Sequence, residues 1–144
     1  MKKRNPRVLA FNSSPRREKG NTAVLLEPFL EGMRVAGAGV DLHYNCDLDI
    51  KPCKGCFNCW LKTPGVCSQK DDMQQLLPVM RDADVIVYAT PVYSYGMSGQ
   101  MKNLIDRMIV LAEPFMEVVE GRSRHIKTEG ARTCKIVLVS DRKS

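Results

Sequence analysis

The sequence contains no apolar run that approaches the roughly 20 residues needed by a membrane-spanning helix. Its longest candidates, such as residues 85–89, have only the length of a strand. The basic start at residues 1–4 resembles the beginning of a signal peptide, but the apolar stretch that follows, residues 8–11, is too short for one. These absences argue against a membrane protein, and we expect a cytoplasmic one.

Repeats, low-complexity segments and a second domain are also absent from the sequence. A chain of 144 residues can bury one core but is too short for two ordinary ones, so we expect a single domain over residues 1–144. The net charge of +6 would suit a nucleic-acid binder. However, the basic residues are scattered apart from residues 2–7 and 122–132, which favours a solvated surface over a nucleic-acid site.

Short apolar runs alternate with stretches of helical spacing along the chain. We predict strands at residues 8–11, 40–44, 84–90 and 134–140. We also predict three helices: one with Asn21 or Thr22 as its capping residue, one opened by Asp71 and Asp72, and one capped by Ser98. Pro28 predicts a kink or a late start of the first helix, Pro91 is expected to close the third strand, and residues 113–132 are predicted to form a long loop. This alternation predicts an α/β fold with a doubly wound parallel sheet of strand order 2-1-3-4, which binds ligands at the carboxyl ends of its strands.

The segment that joins the first strand to the first helix, residues 12–22, is rich in hydroxyl and amide groups. Hydroxyls, backbone amides and a helix N-terminus around one point favour a phosphate. The Walker spacing and the G-x-G-x-x-G fingerprint are missing, so neither a nucleoside triphosphate nor a dinucleotide is indicated. The segment therefore predicts a phosphate-binding loop, and the alternative is a polar connection with a capping residue.

The loop after the third strand, residues 90–97, contains two tyrosines and a glycine. With strand order 2-1-3-4, this loop and residues 12–22 flank the point at which the strand order reverses. Tyrosine rings can stack on a flat ligand, and a glycine allows close approach of the backbone. The pattern predicts a ligand contact, although such residues also occur in ordinary surface loops.

Six cysteines in a chain expected in the cytoplasm argue against disulfides, because that compartment keeps thiols reduced. Four of them follow a C-x2-C-x2-C-x7-C pattern within a loop at residues 50–70, namely Cys53, Cys56, Cys59 and Cys67. Three thiolates separated by two residues each can hold three corners of an iron-sulfur cluster, and a fourth can hold the last corner. Zinc more often takes two separated C-x2-C pairs. We therefore favour a [4Fe-4S] cluster, with zinc or free redox-active thiols as alternatives.

Taken in order, these motifs resemble those of the iron-sulfur flavoproteins, within the NADPH-dependent FMN reductase group of flavodoxin-like folds. The resemblance rests on Ser13-Ser14-Pro15-Arg16, Gly20-Asn21-Thr22, the cysteine run with Asp71-Asp72-Met73, Pro91-Val92-Tyr93, and residues 98–102 with Asp106-Arg107. It implies FMN with its phosphate at Ser13, Ser14, Arg16, Asn21 and Thr22, and with its ring near Pro91, Val92, Tyr93, Ser94, Tyr95, Gly96 and Met97. It also implies a [4Fe-4S] cluster on Cys53, Cys56, Cys59 and Cys67.

The end of the chain departs from this resemblance. The family's fold continues past the fourth strand with another helix, a fifth strand and a closing helix, whereas this sequence stops at Ser144. An open sheet edge invites pairing. We therefore expect either a truncated chain, with weakened FMN binding, or a homo-oligomer, a dimer or tetramer, that covers this surface.

The leading functional hypothesis is an FMN-dependent oxidoreductase or electron-transfer flavoprotein in which a [4Fe-4S] cluster relays electrons. Because the flavin carries the chemistry, no side chain is assigned as a catalytic acid or base. The expected electron donor is a reduced nicotinamide or a ferredoxin. The alternatives are a metal-binding regulatory or interaction module without flavin, and a truncated relative without a cofactor.

Overall fold

The computed structural model describes residues 4–127, 130 and 133–141. Parts of the predicted basic segments, residues 2–3, 128–129 and 131–132, lie outside the described residues. The strands are β1 (Arg7–Asn12), β2 (Gly39–Tyr44), β3 (Val85–Tyr93), β4 (Gly96–Met97), β5 (Ala112–Val119), β6 (Arg122–Lys127) and β7 (Lys135–Asp141), and the helices are α1 (Asn21–Val35), α2 (Asn58–Leu61), α3 (Met73–Asp82) and α4 (Gly99–Arg107). Within these described ranges, no helix has the length and apolar character to span a bilayer.

Four parallel strands form the central sheet in the order β2-β1-β3-β7. When only these four strands are counted along the chain, the order is 2-1-3-4, which confirms the predicted topology. The inner strands β1 and β3 are covered on both faces, which explains why their sequences are continuous apolar runs rather than alternating ones. Asn12 at the end of β1 lies opposite Ala89 of β3. The segments that leave these two strands therefore start side by side.

Helices cover both faces of the sheet. On one face, Leu30 of α1 packs against Ala10 of β1. On the other face, Met73 of α3 and Met101 of α4 belong to the same buried cluster as Leu9 of β1. Each of these side chains is at most 2% exposed, and burying an aliphatic side chain of this size contributes about 1.5–3 kcal/mol. The two layers fix the helix ends relative to the rim where β1 and β3 end.

The prediction for Pro91 is wrong, and so is one of the two alternatives predicted for Pro28. α1 begins at Asn21 and continues through Pro28 to Val35, and its capping residue is Gly20 rather than the predicted Asn21 or Thr22. The predicted late start does not occur, because Leu26 and Leu30 pack on the sheet and stabilise the helix on both sides of the proline. Likewise β3 does not close at Pro91, since Pro91 pairs with Asp141 in β7 and the following residues pair with β4.

The predicted long loop at residues 113–132 is also wrong, because β5 and β6 form an antiparallel hairpin within it. The turn is built by Glu120 and Gly121, both with positive φ (51° and 75°), the geometry of a two-residue hairpin turn. An exposed ion pair between Glu117 of β5 and Arg124 of β6, at 2.8 Å, links the two strands. The high charge and Pro114 hid the strand pattern in the sequence, since an exposed hairpin needs no apolar alternation.

Candidate functional site

The segments that follow β1 and β3 line one cleft at the carboxyl ends of the strands. Its walls are formed by Ser14, Arg16, Asn21, Thr22, Pro91, Val92, Tyr93 and Asp141. Seven of these eight residues are predicted cofactor-binding residues, and they come from both predicted loops. Asp141 was missed by the sequence reasoning, because it lies one residue beyond the predicted end of the last strand. Only the parallel pairing of β7 with β3 brings it to the cleft.

Hydroxyl groups beneath the cleft link its two segments. Ser13 is fully buried, and both its amide (2.9 Å) and its hydroxyl (3.3 Å) donate to the Ala89 carbonyl. The Ser98 hydroxyl donates to the Ser13 hydroxyl (2.8 Å), and the Ser98 amide donates to the Thr90 hydroxyl (3.0 Å). Ser13 therefore joins the two segments beneath the cleft, whereas Ser14 forms part of its wall.

Two local contacts set the conformation of the predicted phosphate loop. The Ser14 amide donates to Asn12 Oδ1 (2.9 Å), and the Arg16 amide donates to the Ser14 hydroxyl (3.3 Å). A Cβ at Gly20 would lie 2.5 Å from Ser14 Oγ, so the start of α1 approaches this hydroxyl as closely as only a glycine allows. Asn12 Nδ2 is buried and has no hydrogen-bond partner within the described residues.

The N-terminus of α1 lies at the cleft through Asn21 and Thr22. Within the described chain, the first turn of α1 contains no acidic residue and its capping residue makes no side-chain cap. Its free amides and the positive end of the helix dipole therefore favour an anion. Arg16 is exposed and adds a positive charge. The Thr22 hydroxyl donates to Asp141 Oδ1 (2.5 Å), which places one carboxylate at the wall of the cleft.

The second predicted loop is a tight hairpin between β3 and β4. Val92 pairs with Met97 and Tyr93 with Gly96, and the two turn residues between them, Ser94 and Tyr95, have positive φ (46° and 69°). Such a conformation is strained for residues with a side chain. Pro91, Val92 and Tyr93 line the cleft, whereas Ser94, Tyr95, Gly96 and Met97 lie beyond its wall. Tyr93 is half exposed (51%) and Tyr95 fully exposed (102%).

All four predicted metal-binding cysteines, Cys53, Cys56, Cys59 and Cys67, line a second cavity of about 90 Å³, which we call the cysteine cavity. Cys53 and Cys56 are exposed, Cys59 is buried and Cys67 is partly buried. Among the described residues, no group of three or more His, Cys, Asp or Glu side chains is arranged to hold a single metal ion. A hydrogen bond from the Asn58 amide lowers the pKa of Cys56, and burial raises the pKa of Cys59.

A buried ion pair closes the base of the cysteine loop. The side chains of Arg107 and Asp71 are 1% and 0% exposed, and the guanidinium binds both carboxylate oxygens, at 2.6 and 3.0 Å. Arg107 also donates to the Lys51 carbonyl (2.9 Å) and to Cys67 Sγ (3.3 Å). Burial acts to raise the pKa of Asp71, but the hydrogen bonds from Arg107 and the Lys51 amide outweigh it, so this pKa is lowered.

The β5–β6 hairpin packs against the cysteine loop through one tryptophan. Trp60 Nε1 donates to the Ala112 carbonyl (2.7 Å), and the Trp60 ring lies 5.6 Å from the ring of His125 and 5.3 Å from that of Phe57. This contact could not be predicted from the sequence, because the hairpin itself was not predicted. It covers one side of the loop that carries the four cysteines.

The parallel sheet of order 2-1-3-4, with a cleft between the segments leaving its first and third strands, defines a flavodoxin-like α/β protein. Solved structures share this fold. An azoreductase from Bacillus anthracis superposes with a TM-score of 0.65 at 16% identity, over 95% of this chain and 69% of that one. An NAD(P)H:quinone oxidoreductase from Methanothermobacter marburgensis gives a TM-score of 0.60 at 17% identity, over 74% and 54% of the two chains.

The family of NADPH-dependent FMN reductases matches residues 6–125 of the sequence, and the chain belongs to this family. An iron-sulfur flavoprotein from Archaeoglobus fulgidus is 46% identical over 101 residues, 70% of this chain and 48% of the relative. An iron-sulfur flavoprotein from Methanocaldococcus jannaschii is 37% identical over 101 residues, 70% and 51% of the two chains. These relatives confirm the resemblance stated from the motifs. The chain spans about half the length of the curated relatives it matches.

Proposed function

We propose that the chain acts as an FMN-dependent oxidoreductase that binds FMN in the cleft between the segments leaving β1 and β3. The observation that carries the proposal is the meeting of both segments with the N-terminus of α1 in one cleft. The phosphate would accept hydrogen bonds from the Arg16 guanidinium and from the α1 amides, among them that of Thr22, whose hydroxyl donates to Asp141. The half-exposed Tyr93 offers a flat apolar surface for the isoalloxazine ring.

Bound FMN would supply one- and two-electron transfer, and the residues of the chain would bind and orient it. Within this proposal Ser13 acts beneath the cleft, since its hydroxyl is already engaged by Ser98 and the Ala89 carbonyl. Ser14, Asn21 and Pro91 form the wall. Ser94, Tyr95, Gly96 and Met97 would contact only a ligand that extends past the cleft wall toward the hairpin tip.

The cysteine cavity is proposed to hold a [4Fe-4S] cluster. Four thiols around one cavity fit this group, because each iron of the cluster takes one thiolate and the four ligands therefore spread further apart than those of a single ion. The names of the curated relatives point to the same cofactor. The cluster would supply one-electron transfer next to the flavin.

Helix α4 connects the two proposed cofactor sites. Its capping residue Ser98 contacts Ser13 and Thr90 beneath the cleft, and its last residue, Arg107, lines the cysteine cavity. A helix of nine residues is about 13 Å long at 1.5 Å per residue. Both sites are thereby held on one rigid element, which supports electron transfer between them.

The electron donor is proposed to be a reduced nicotinamide, in keeping with the family, with a ferredoxin as the alternative. A cytoplasmic location and a homo-oligomeric state, dimer or tetramer, remain part of the proposal. Exposed apolar side chains on β7, namely Ile136 (63%) and Leu138 (61%), support self-association.

The proposal is tested by purifying the chain without air and measuring flavin, iron, sulfide and zinc per chain. Flavin at about one per chain, and iron and sulfide at about four each, is the expected result for one FMN and one [4Fe-4S] cluster. A colourless protein that contains zinc and does not bind added FMN would instead favour the metal-binding module. A protein that contains neither metal nor flavin after reconstitution would be the cofactor-free relative.

A matched pair of variants locates the flavin. Arg16→Gln removes a charge at the cleft, and Arg34→Gln removes an exposed arginine of α1 that pairs with Glu31 outside it. A hydrogen bond to a charged group contributes about 1.5–3 kcal/mol, so FMN affinity should fall about 10-fold or more in Arg16→Gln and stay unchanged in Arg34→Gln. Fluorescence titration with FMN measures both, and equal affinities would place the phosphate elsewhere.

A further inference from the structure

The guanidinium of Arg107 joins three segments around the cysteine cavity. It donates to Asp71 ahead of α3, to the Lys51 carbonyl ahead of Cys53, and to the sulfur of Cys67. Asp71 in turn accepts from the Lys51 amide (3.1 Å) and the Met73 amide (3.2 Å). The position of the guanidinium is therefore set by both ends of the cysteine loop and by the end of α4.

Burial makes this arrangement selective for arginine. A buried charge is costly unless it is paired and hydrogen-bonded, and Asp71 meets that need with both carboxylate oxygens. The planar fork of arginine can bind a carboxylate through two N–H groups and still direct another N–H elsewhere, which the single ammonium of lysine cannot do in the same geometry. Here the additional N–H is directed at Cys67 Sγ, 3.3 Å away.

The four cysteines are thus not equivalent. Cys67 contacts a charged donor that is itself immobilised by an ion pair. Cys56 accepts a hydrogen bond from the Asn58 amide and lies 4.0 Å from the Ser68 hydroxyl, both uncharged donors, and Cys59 is buried with the apolar core. One corner of the proposed cluster would therefore differ from the others in its electrostatic surroundings.

We propose that Arg107 is a positioning residue that orients the Cys67 thiolate and raises the reduction potential of a cluster bound in the cysteine cavity. This inference rests on the proposed function, because it assumes that the four cysteines bind the cluster. Hydrogen bonds to the sulfurs and nearby positive charge stabilise the reduced cluster, which carries more negative charge. Asp71 limits the effect by neutralising most of the charge of Arg107 while leaving the N–H directed at sulfur.

The test compares Arg107→Lys with the matched control Arg34→Lys in reconstituted protein. Iron content, circular dichroism and the midpoint potential from a spectroscopic redox titration are measured for each. Lysine at position 107 keeps the charge for Asp71 but loses the N–H to Cys67, so the reduction equilibrium should shift at least 10-fold toward the oxidised cluster, about 59 mV for a one-electron couple. Arg34→Lys should leave the potential unchanged. Loss of iron from a folded Arg107→Lys protein would likewise support the positioning role.

Asp71→Asn provides the second variant, and its expected shift has the opposite sign. It keeps the N–H of Arg107 at Cys67 and removes the compensating negative charge, so the midpoint potential should rise. If the role of Arg107 were merely structural, the two substitutions would shift the midpoint potential in the same direction or leave it unchanged. If Arg107→Lys does not fold, the Asp71→Asn result decides alone: a raised potential supports the inference, and an unchanged or lowered one overturns it.

The outcomes separate this inference from the function on which it rests. If the unaltered protein takes up no iron or sulfide, the proposed cluster is wrong and the inference falls with it. If the unaltered protein and Arg107→Lys both hold a full cluster at the same potential, the inference alone is wrong and the proposed function stands.

Discussion

At the scale of single residues, Gly20 is a position beside the cleft that leaves no room for a side chain. Gly20→Ala places a Cβ 2.5 Å from Ser14 Oγ, and moving that hydroxyl also disturbs the hydrogen bond it accepts from the Arg16 amide. Overpacking of this kind costs about 1–3 kcal/mol. We expect a loss of this size in the free energy of unfolding, measured in urea, together with weaker FMN binding in a fluorescence titration.

Gly32→Ala is the matched control for Gly20→Ala. Gly32 lies within the same helix, and a Cβ there would meet no atom within 4 Å outside the helix's own neighbouring backbone. Alanine in a helix interior is about 0.5–1 kcal/mol more favourable than glycine, so this variant should be slightly stabilised and should bind FMN normally. Equal effects of the two substitutions would show that the contact with Ser14 is not restrictive.

The buried carboxylate of Asp71 leads to a second prediction, which concerns how the free energy of unfolding depends on pH. The pKa of Asp71 is lowered in the folded chain, so its ionised form contributes stability above the unfolded pKa of about 3.9. That contribution is lost as the pH falls through the folded pKa. Asp71→Asn should therefore cost about 3–5 kcal/mol at pH 7, the range found when one partner of a buried pair is removed. The deficit should shrink as the medium becomes more acidic than the unfolded pKa.

Urea unfolding of the cofactor-free, reduced protein at several pH values measures this difference. Asp106→Asn is the control, because Asp106 is an exposed partner of Lys102 in an i, i+4 pair on α4, and such pairs contribute only about 0.3–0.5 kcal/mol. The prediction is contradicted if the free energies of unfolding of Asp71→Asn and the unaltered chain differ by the same amount from neutral to strongly acidic pH. In that case protonation of Asp71 would not be linked to unfolding.

At the scale of elements, the structure shows which parts of the fold a sequence can reveal. The inner strands β1 and β3 were predicted because a strand buried on both faces must be continuously apolar, as in residues 85–90 of β3. Ser98 was predicted as a helix cap and is one, since its hydroxyl accepts from the Met101 amide (3.3 Å). A helix cap and a continuous apolar run are both made by residues close in sequence, so they leave local signals.

The elements that were missed depend on partners far away in sequence. The β5–β6 hairpin is exposed and held by cross-strand pairs such as Glu117 with Arg124, which produces no apolar alternation. The motifs contain Asp71 and Arg107, but their ion pair could not be predicted because it joins positions 36 residues apart. Asp141 reaches Thr22 across 119 residues. The position of the cleft could thus be predicted from the strand ends, whereas the long-range contacts that shape it could not.

Helix α4 shows how one element can serve both proposed sites. Its N-terminus is fixed beneath the cleft by the Ser98 hydroxyl, and its C-terminus is fixed at the cysteine cavity by Arg107. Between them, Met101 and Leu104 are fully buried and hold the helix on the sheet. Both ends are anchored through buried contacts, so the helix holds the two proposed sites at a fixed separation.

At the scale of the whole molecule, the uncovered face of β7 carries the last prediction. Ile136 and Leu138 are 63% and 61% exposed and lie opposite Ile86 and Tyr88 of β3, which are buried with α3 and α4. In the described part of the chain, these helices do not extend over β7 far enough to bury the two side chains. An apolar sheet edge of this kind favours association with another copy.

Sedimentation of the unaltered chain at micromolar concentration should therefore show a dimer or larger species. Leu138→Lys should shift the equilibrium toward monomer, because association would bury an unpaired charge. Ser123→Lys, on the exposed strand β6, adds the same charge away from β7 and should leave the association unchanged. A monomeric unaltered chain, or equal effects of the two lysines, would show that this face does not join copies. Normal FMN binding by monomeric Leu138→Lys would further show that the cleft is complete within one chain.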